Sequence, residues 1–157
     1  MNNSRFKIIL AILICGFFSC RQINVYEFNT NIPDQQWNRN FSVSGSFKIT
    51  DTSASYSLYL VLRHEDAYKY DNIWLNVSLS GPGDSINHQK VNLNLANDAN
   101  GWEGSGMNDI WEVRKLLNGE PRKFIKGGVY HFSINQVMRD NPLSGILSAG
   151  LRVEKAS

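Results

Sequence analysis

Residues 73–79 read Ile-Trp-Leu-Asn-Val-Ser-Leu, in which aliphatic side chains alternate with other residue types at a period of two. Successive side chains of a β-strand point to opposite faces of a sheet, so this pattern predicts a half-buried strand. Five further stretches show similar alternation. They are residues 41–49, 56–62, 91–95, 130–134 and 147–153.

Short polar turns separate these stretches, as in Gly-Pro-Gly-Asp at 81–84 and Asn-Asp-Ala-Asn-Gly at 97–101. Parallel strands need long crossover segments, and the chain leaves no room for them. We therefore predict an all-β fold, an antiparallel β-sandwich of about seven or eight strands. The pattern does not separate an immunoglobulin-like from a jelly-roll-like arrangement.

Residues 109–117 fit two secondary structures. Asp109 and Glu112 match the capping box that begins many helices. The apolar pair Ile110-Trp111, followed by Val113, suits a strand equally well. We favour the strand and keep the helix as the alternative.

The N-terminal residues have the pattern of a bacterial secretion signal. Arg5 and Lys7 precede the apolar run 8–18, which is well short of the ~20 residues that a spanning helix needs. The run ends at Ser19-Cys20, and a small residue before a Cys at this place resembles the lipobox of bacterial lipoproteins. We predict cleavage after residue 19 and lipidation of Cys20. The alternative is an ordinary signal peptide with an incidental Cys.

Processing at Cys20 divides the chain into three regions. Residues 1–19 form the signal peptide, 20–40 the lipidated N-terminus and a tether, and 41–157 the β-sandwich domain. Aromatic residues within 20–40 predict that part of the tether docks on the domain; they are Tyr26, Phe28 and Trp37.

Composition and charge exclude several classes of function. The chain is 42% apolar and 19% charged, as globular proteins are. Without Arg5 and Lys7, basic and acidic residues both number 14, which excludes a nucleic-acid binder that works by bulk charge.

The residues that carry chemistry in other proteins form no recognisable site here. The three histidines, His64, His88 and His131, are not spaced as metal ligands on one element. His64 begins the polar stretch His-Glu-Asp after a strand, which predicts a solvated turn. No motif for a catalytic nucleophile occurs. We predict no catalytic residue, no metal, no cofactor and no small-molecule substrate.

The segment 102–114 is the best candidate for a protein-binding surface. Trp102, Trp111 and Arg114 belong to the residue types that dominate interface hot spots. The glycines between them allow close approach of a partner's backbone. The alternative is that the two tryptophans plug one end of the sandwich.

Two further features predict surface chemistry. Asp84-Ser85-Ile86 resembles an O-glycan acceptor of exported proteins, which predicts a glycan on Ser85. A basic stretch either faces anionic lipid or an acidic partner, or is a solvated hairpin. It consists of Arg114, Lys115, Arg122, Lys123 and Lys126.

Several short motifs follow one another in a specific order after the lipobox. They include residues 49–51, 56–63, 70–75, 101–106, 109–114, 130–139 and 150–155. This order resembles the gliding-motility lipoprotein family GldH of the Bacteroidetes, and the resemblance covers most of residues 20–155.

The resemblance implies a lipid-anchored, non-enzymatic component of the gliding machinery that is associated with type IX secretion and acts through contacts with envelope proteins. It implies no catalytic residue. The chain lacks the acidic cluster after Cys20 that surface-exported lipoproteins of this phylum often carry, so we predict an outer-membrane location facing the periplasm. A carbohydrate-binding β-sandwich that stacks sugars on exposed aromatic rings is the alternative function.

Overall fold

The computed structural model describes residues 25–83, 86–117 and 119–156. Within these residues, a short 3₁₀-helix, Pro33–Gln35, accompanies fourteen strands. In chain order the strands are β1 (Val25–Asn31), β2 (Gln36–Trp37), β3 (Val43–Ile49), β4 (Ser55–Glu65), β5 (Asn72–Ser80), β6 (Asn87–Asn94), β7 (Ala96–Asn97), β8 (Gly101–Trp102), β9 (Ser105–Met107), β10 (Ile110–Leu116), β11 (Arg122–Lys123), β12 (Gly128–Gln136), β13 (Leu143–Ser144) and β14 (Ile146–Lys155).

Two antiparallel sheets make up the fold. The large sheet has the order β1-β14-β4-β10-β9, and β11 pairs with the beginning of β4. The small sheet has the order β3-β12-β5-β6. Two-residue strands form two additional ribbons, β2 with β13 and β7 with β8. The predicted all-β, antiparallel class is confirmed.

The pairing of the eight long strands is that of a jelly roll. The first long strand pairs with the last, β1 with β14, and the second with the second-last, β3 with β12. The third pairs with the sixth, β4 with β10, and the fourth with the fifth, β5 with β6. The chain is thus one long hairpin rolled into two facing layers, each with four of the long strands, which is the double Greek-key arrangement. Of the two arrangements left open by the sequence, the jelly roll is the observed one.

Each of the six stretches with alternating apolar residues overlaps one of the long strands. Residues 110–116 are also extended. Asp109 has φ of 63°, a left-handed conformation that belongs to a turn and not to a helix cap. The number of strands exceeds the prediction because six short strands of two or three residues join the eight long ones.

The sandwich includes residues that the sequence assigns to the tether. Strand β1 forms one edge of the large sheet, with Tyr26 opposite Val153 and Phe28 opposite Leu151. Trp37 is completely buried, and its indole N–H donates to the Phe41 carbonyl at 2.9 Å. Strands β1 and β2, which precede residue 41, thus pair with strands that follow it.

The hydrophobic core lies between the two sheets. Alternate residues of β4 point inward, and Leu60 is 2% exposed. An aromatic cluster fills the end of the core near the start of β1, where the Phe124 and Tyr130 rings are 4.6 Å apart and the Phe47 and Tyr130 rings 5.7 Å apart. Edge-to-face and stacked rings of this kind add about 0.5–1.5 kcal/mol per pair to the stability from burial.

The outer face of the large sheet carries a row of alternating charges. Neighbouring members are paired at distances such as 2.6 Å between Arg152 and Glu27 and 2.9 Å between Arg114 and Glu112. Partly exposed pairs contribute at most about 1 kcal/mol each. The row leaves this face with no excess charge, since it consists of Glu154, Arg152, Glu27, Arg114, Glu112 and Arg63.

Core packing generates the first prediction. Leu60→Ala is expected to lower the free energy of unfolding by about 2–5 kcal/mol, because it removes a buried side chain between the sheets. The matched control is Ile125→Ala, at a position that is 94% exposed, with an expected change within about 0.5 kcal/mol. Chemical denaturation followed by circular dichroism measures both values. Equal stabilities of the two variants would contradict the assigned core.

Candidate functional site

The candidate site lies at the distal end, defined as the end of the sandwich opposite the start of β1. The β9–β10 hairpin reaches this end and turns there through Asn108 and Asp109, with φ of 50° and 63°. Two successive positive φ angles are typical of a type I′ turn, whose twist matches that of the flanking strands. Asn and Asp adopt this conformation more readily than other non-glycine residues.

Two hydrogen bonds hold the hairpin against the loop that follows β4. The backbone N–H of Asp66 donates to the Asp109 carbonyl at 2.7 Å. The Trp111 indole N–H donates to the Asp66 carboxylate at 3.1 Å. The hairpin tip is therefore fixed to the body of the domain at two points.

The glycines of this segment serve its own packing. A Cβ on Gly104 would lie 2.1 Å from the Glu112 carbonyl oxygen, and φ at Gly104 is +93°. A Cβ on Gly106 would lie 2.8 Å from the Trp111 ring. The sequence predicts that these glycines admit a partner's backbone, whereas in the structure the segment's own atoms occupy the space.

Next to the hairpin, His64 is fully buried on the inward face of β4. The Trp102 ring lies 4.6 Å from the imidazole and the Tyr68 ring 5.7 Å. The prediction of a solvated turn at His64 is therefore wrong. The sequence did contain a relevant pattern, because His64 continues the inward parity of Leu60 and Leu62.

The hydrogen bonding of His64 determines its protonation. Nδ1 lies 2.9 Å from the Glu65 carbonyl oxygen, which can only accept, so Nδ1 carries the proton. Nε2 is buried and has no hydrogen-bond partner among the described residues. Burial lowers the pKa of the His64 imidazole, because the charged form would need solvation that the site does not provide.

The side chains of Trp102 and Trp111 point in a different direction from the side chain of Arg114. Trp102 is half-buried and packs on the core beside His64. Trp111 has the parity of the buried Val113, whereas Arg114 has the opposite parity and joins the charged row on the outer face. The structure thus brings the two tryptophans to the distal end and leaves Arg114 on another surface.

Met107 is a feature of this segment that the sequence analysis did not single out. Its side chain is 75% exposed at the hairpin tip. Beside it, a hollow of about 480 Å³ opens between the hairpin turn and the loop after β4, lined by Glu65, Asp66, Ala67, Asn108, Asp109 and Ile110. An exposed apolar residue on a fixed hairpin, next to a hollow, is suited to binding a partner protein.

The remaining sequence predictions concern the modification of Cys20 and Ser85, metal binding and membrane-spanning segments. Cys20 and Ser85 lie outside the described residues, so their lipidation and glycosylation stay predictions. Across residues 25–83, 86–117 and 119–156, no group of three potential metal ligands is close enough to hold an ion. The same ranges contain no helix with the length and apolar character of a membrane span.

The fold defines the described chain as a small jelly-roll domain. A family model described as GldH lipoprotein matches residues 24–153. The chain belongs to the GldH lipoprotein family.

Two relatives match over nearly their whole length. The chain is 29% identical over 162 aligned positions to the "Gliding motility lipoprotein GldH homolog" of Christiangramia forsetii, covering 98% of each chain. It is 27% identical to the "Gliding motility lipoprotein GldH" of Flavobacterium johnsoniae, covering 99% of this chain and 98% of the relative. A solved structure, the VP2 subviral particle of infectious bursal disease virus, matches with a TM-score of 0.32 and 13% identity, over 87% of this chain and 34% of the viral one. A TM-score this low supports no inference about fold or function.

The contacts of Trp102 generate the second prediction. Trp102→Ala is expected to lower the free energy of unfolding by about 3 kcal/mol, since the indole packs on His64 and Tyr68. Arg114→Ala is expected to cost less than about 1 kcal/mol, since its ion pairs are exposed. Urea titrations of both variants test the difference. A Trp102→Ala protein as stable as wild type would argue against the packing role.

The buried imidazole generates the third prediction. The unfolded chain binds a proton at His64 near pH 6.5, whereas the folded chain binds it only at lower pH. Stability is therefore complete above this pH and falls as the pH decreases below it, by up to about 1.4 kcal/mol per unit. Melting temperatures between pH 7.5 and pH 5.5 measure the effect.

The control for this prediction separates titration from general destabilisation. His64→Phe is expected to reduce the loss of stability across this pH interval, because no group at this position titrates. Leu60→Ala is expected to retain the wild-type pH dependence although its stability is lower. If His64→Phe and wild type show the same pH dependence, His64 is not the group responsible.

Proposed function

We propose that this protein is a lipid-anchored, non-enzymatic component of the bacterial gliding machinery and its associated type IX secretion apparatus. In this proposal acyl chains on Cys20 hold it in the outer membrane, and the domain faces the periplasm. It acts by binding other envelope proteins. The observation that carries the proposal is the family match over residues 24–153, which includes every long strand of the jelly roll except the end of β14.

The state of the charged groups supports a role without catalysis. A carboxylate that performs acid–base chemistry needs a free, suitably positioned oxygen in a cleft. Here a hydrogen bond from Arg152 lowers the pKa of Glu27, and a hydrogen bond from Lys115 lowers that of Glu103. Both carboxylates are therefore occupied with ion pairs on the protein's own surface, Glu27 within the charged row and Glu103 beside β10.

The distal end is the surface that we assign to the protein partner. Met107 is held there in a type I′ hairpin that is fixed at Asp66, so binding would order little additional chain. Trp111 has a partly exposed ring on the other face of the same hairpin, since Met107 pairs with Ile110, whose parity is opposite to that of Trp111. The binding surface therefore centres on Met107 at the hairpin tip, and Arg114, farther along β10 and engaged in ion pairs, lies outside it.

The fourth prediction concerns this surface. In a strain lacking the gene, complementation with Met107→Asp is expected to fail to restore colony spreading, because a charge would be placed in the apolar contact. Arg114→Ala is the matched control and is expected to restore spreading. Immunoblots of the membrane fraction verify that both variants accumulate. Spreading restored by Met107→Asp would exclude the distal end as the binding surface.

The anchor is tested by Cys20→Ala in the same strain. The variant is expected to leave the membrane fraction and to fail in complementation. Membrane retention of this variant through detergent phase separation would exclude lipidation at Cys20.

The outer face of the small sheet favours a second candidate function, binding of carbohydrate. Trp74 is 38% exposed there, and Lys90 Nζ lies 4.8 Å from its ring centroid. A hollow of about 500 Å³ adjoins the ring and also borders Tyr70 and Arg139. The surrounding face is rich in neutral hydrogen-bonding groups, namely Ser44, Ser46, Asn76, Ser78, Ser133 and Asn135.

The fifth prediction distinguishes this candidate. If the face binds sugars by ring stacking, Trp74→Ala should abolish retention on envelope polysaccharide in affinity electrophoresis, with little change in melting temperature. Met107→Asp should leave retention unchanged. Wild-type protein that migrates freely through every polysaccharide would rule this function out.

A further inference from the structure

The position of strand β1 determines which part of the domain lies nearest to its anchor. Val25 pairs with Glu154 at the end of the sandwich where β14 finishes and β4 begins. Five residue steps separate Cys20 from Val25, and a fully extended chain covers about 17 Å over that distance. Strand β4, with its eleven residues, spans about 35 Å. A lipid on Cys20, which is part of the proposed function, would therefore keep this end, termed here the anchor end, at the bilayer.

Two of the loops at the anchor end contact each other. One precedes β12 and contains Ile125 and Lys126; the other follows β5 and contains Pro82. Pro82 lies so close to Gly128 that a Cβ on the glycine would be 2.6 Å from the proline ring. Lys126 Nζ likewise lies 2.9 Å from the position of a Cβ on Gly83. The two loops thus make one continuous surface.

An apolar side chain projects from this surface. Ile125 is 94% exposed, although its neighbour Phe124 is 2% exposed and makes edge-to-face ring contacts in the aromatic cluster of the core. Phe124 anchors the loop, and Ile125 consequently points away from the domain on a fixed base. Val129, at the start of β12, is also partly exposed, at 46%.

The basic stretch noted in the sequence divides into two groups in the structure. Arg114 and Lys115 form ion pairs with acidic residues. Within the described ranges, Arg122, Lys123 and Lys126 form none, and the Arg122 guanidinium instead lies 4.7 Å from the Phe124 ring centroid. All three flank Ile125.

Acidic residues at the anchor end do not cancel this charge. Asp51 pairs with Lys155, and Glu154 pairs with Arg152. Glu120 is exposed in the same loop and offsets one of the three cations, and Lys48 adds an exposed cation beside Val129. Among the described residues, the anchor end therefore carries an excess of positive charge, in contrast to the balanced row on the large sheet.

We propose that the anchor end rests on the anionic phospholipid surface of the membrane that holds the protein's lipid. Ile125 enters the region between headgroups and acyl chains, and Lys123 and Lys126 lie at the lipid phosphates. Apolar insertion combined with basic side chains is the usual means of interfacial binding. Contact at this end leaves the distal end, about the length of β4 away, free for a protein partner.

The test uses the mature chain, residues 20–157, with Cys20→Ser so that no acyl chain contributes. Sedimentation with phosphatidylglycerol-containing vesicles is expected to retain the protein, and pure phosphatidylcholine vesicles are expected not to. Each basic residue near an anionic surface is worth about fivefold in partitioning, so Lys123→Gln with Lys126→Gln should weaken binding about 25-fold. Ile125→Ser should weaken it about fivefold or more.

Matched controls carry the same changes elsewhere. Lys90→Gln with Arg139→Gln removes the same charge away from the anchor end, and Met107→Ser removes an exposed apolar side chain at the distal end. Both should bind vesicles as well as the parent protein does. Melting temperatures check that all variants are folded.

Three results would overturn the proposal: no retention by anionic vesicles, equal losses in the control variants, or binding of an acidic protein through Lys123 and Lys126 without any binding of vesicles. The protein in the vesicle assay carries no acyl chain, so failure of the assay leaves the lipidation of Cys20 standing. Failure of lipidation would be observed instead as wild-type protein in the soluble fraction of cells.

Discussion

The antiparallel pairing of β1 with β14 is the contact on which the remaining structure depends. It joins the first seven described residues to the last strand and completes the large sheet beside β4. The backbones of β1 and β14 are in close contact at Gly150. A Cβ at this position would lie 2.0 Å from the Phe28 carbonyl oxygen, so only glycine allows β1 to lie this close. Strand β14 pairs with β1 on one side and with β4 on the other. It therefore connects the strand that begins at the anchor end to the central strand of the large sheet.

The sequence predicts the fold class because the inward faces of the long strands are apolar and their outward faces polar. It misses β1, where only Tyr26 and Phe28 carry the apolar pattern and the partner strand is more than a hundred residues away. It also leaves 109–117 undecided, because the same Asp that caps a helix can equally adopt the left-handed conformation of a hairpin turn. In both cases the structure depends on pairing between strands that are distant in sequence. A local sequence pattern holds no information about that pairing.

The candidate site was less predictable than the fold. Residue type identified Trp102, Trp111 and Arg114, but residues an odd number of positions apart on a strand face opposite sides, so Trp111 and Arg114 point to different faces of β10. His64 was assigned to solvent because of its polar neighbours, although its parity placed it in the core. Met107 carries no chemical signal in sequence, and its exposure follows only from the hairpin that presents it.

The rolled hairpin also has a consequence for the order in which the chain can assemble. Strand β1 is the first strand of the described chain, yet its partner β14 is the last. Contacts between residues so distant in sequence form late, because the intervening loop must close first. Strand β1 therefore stays without its sheet partner until β14, the last strand of the described chain, is available, and during that interval its edge is unpaired and open to association with other chains.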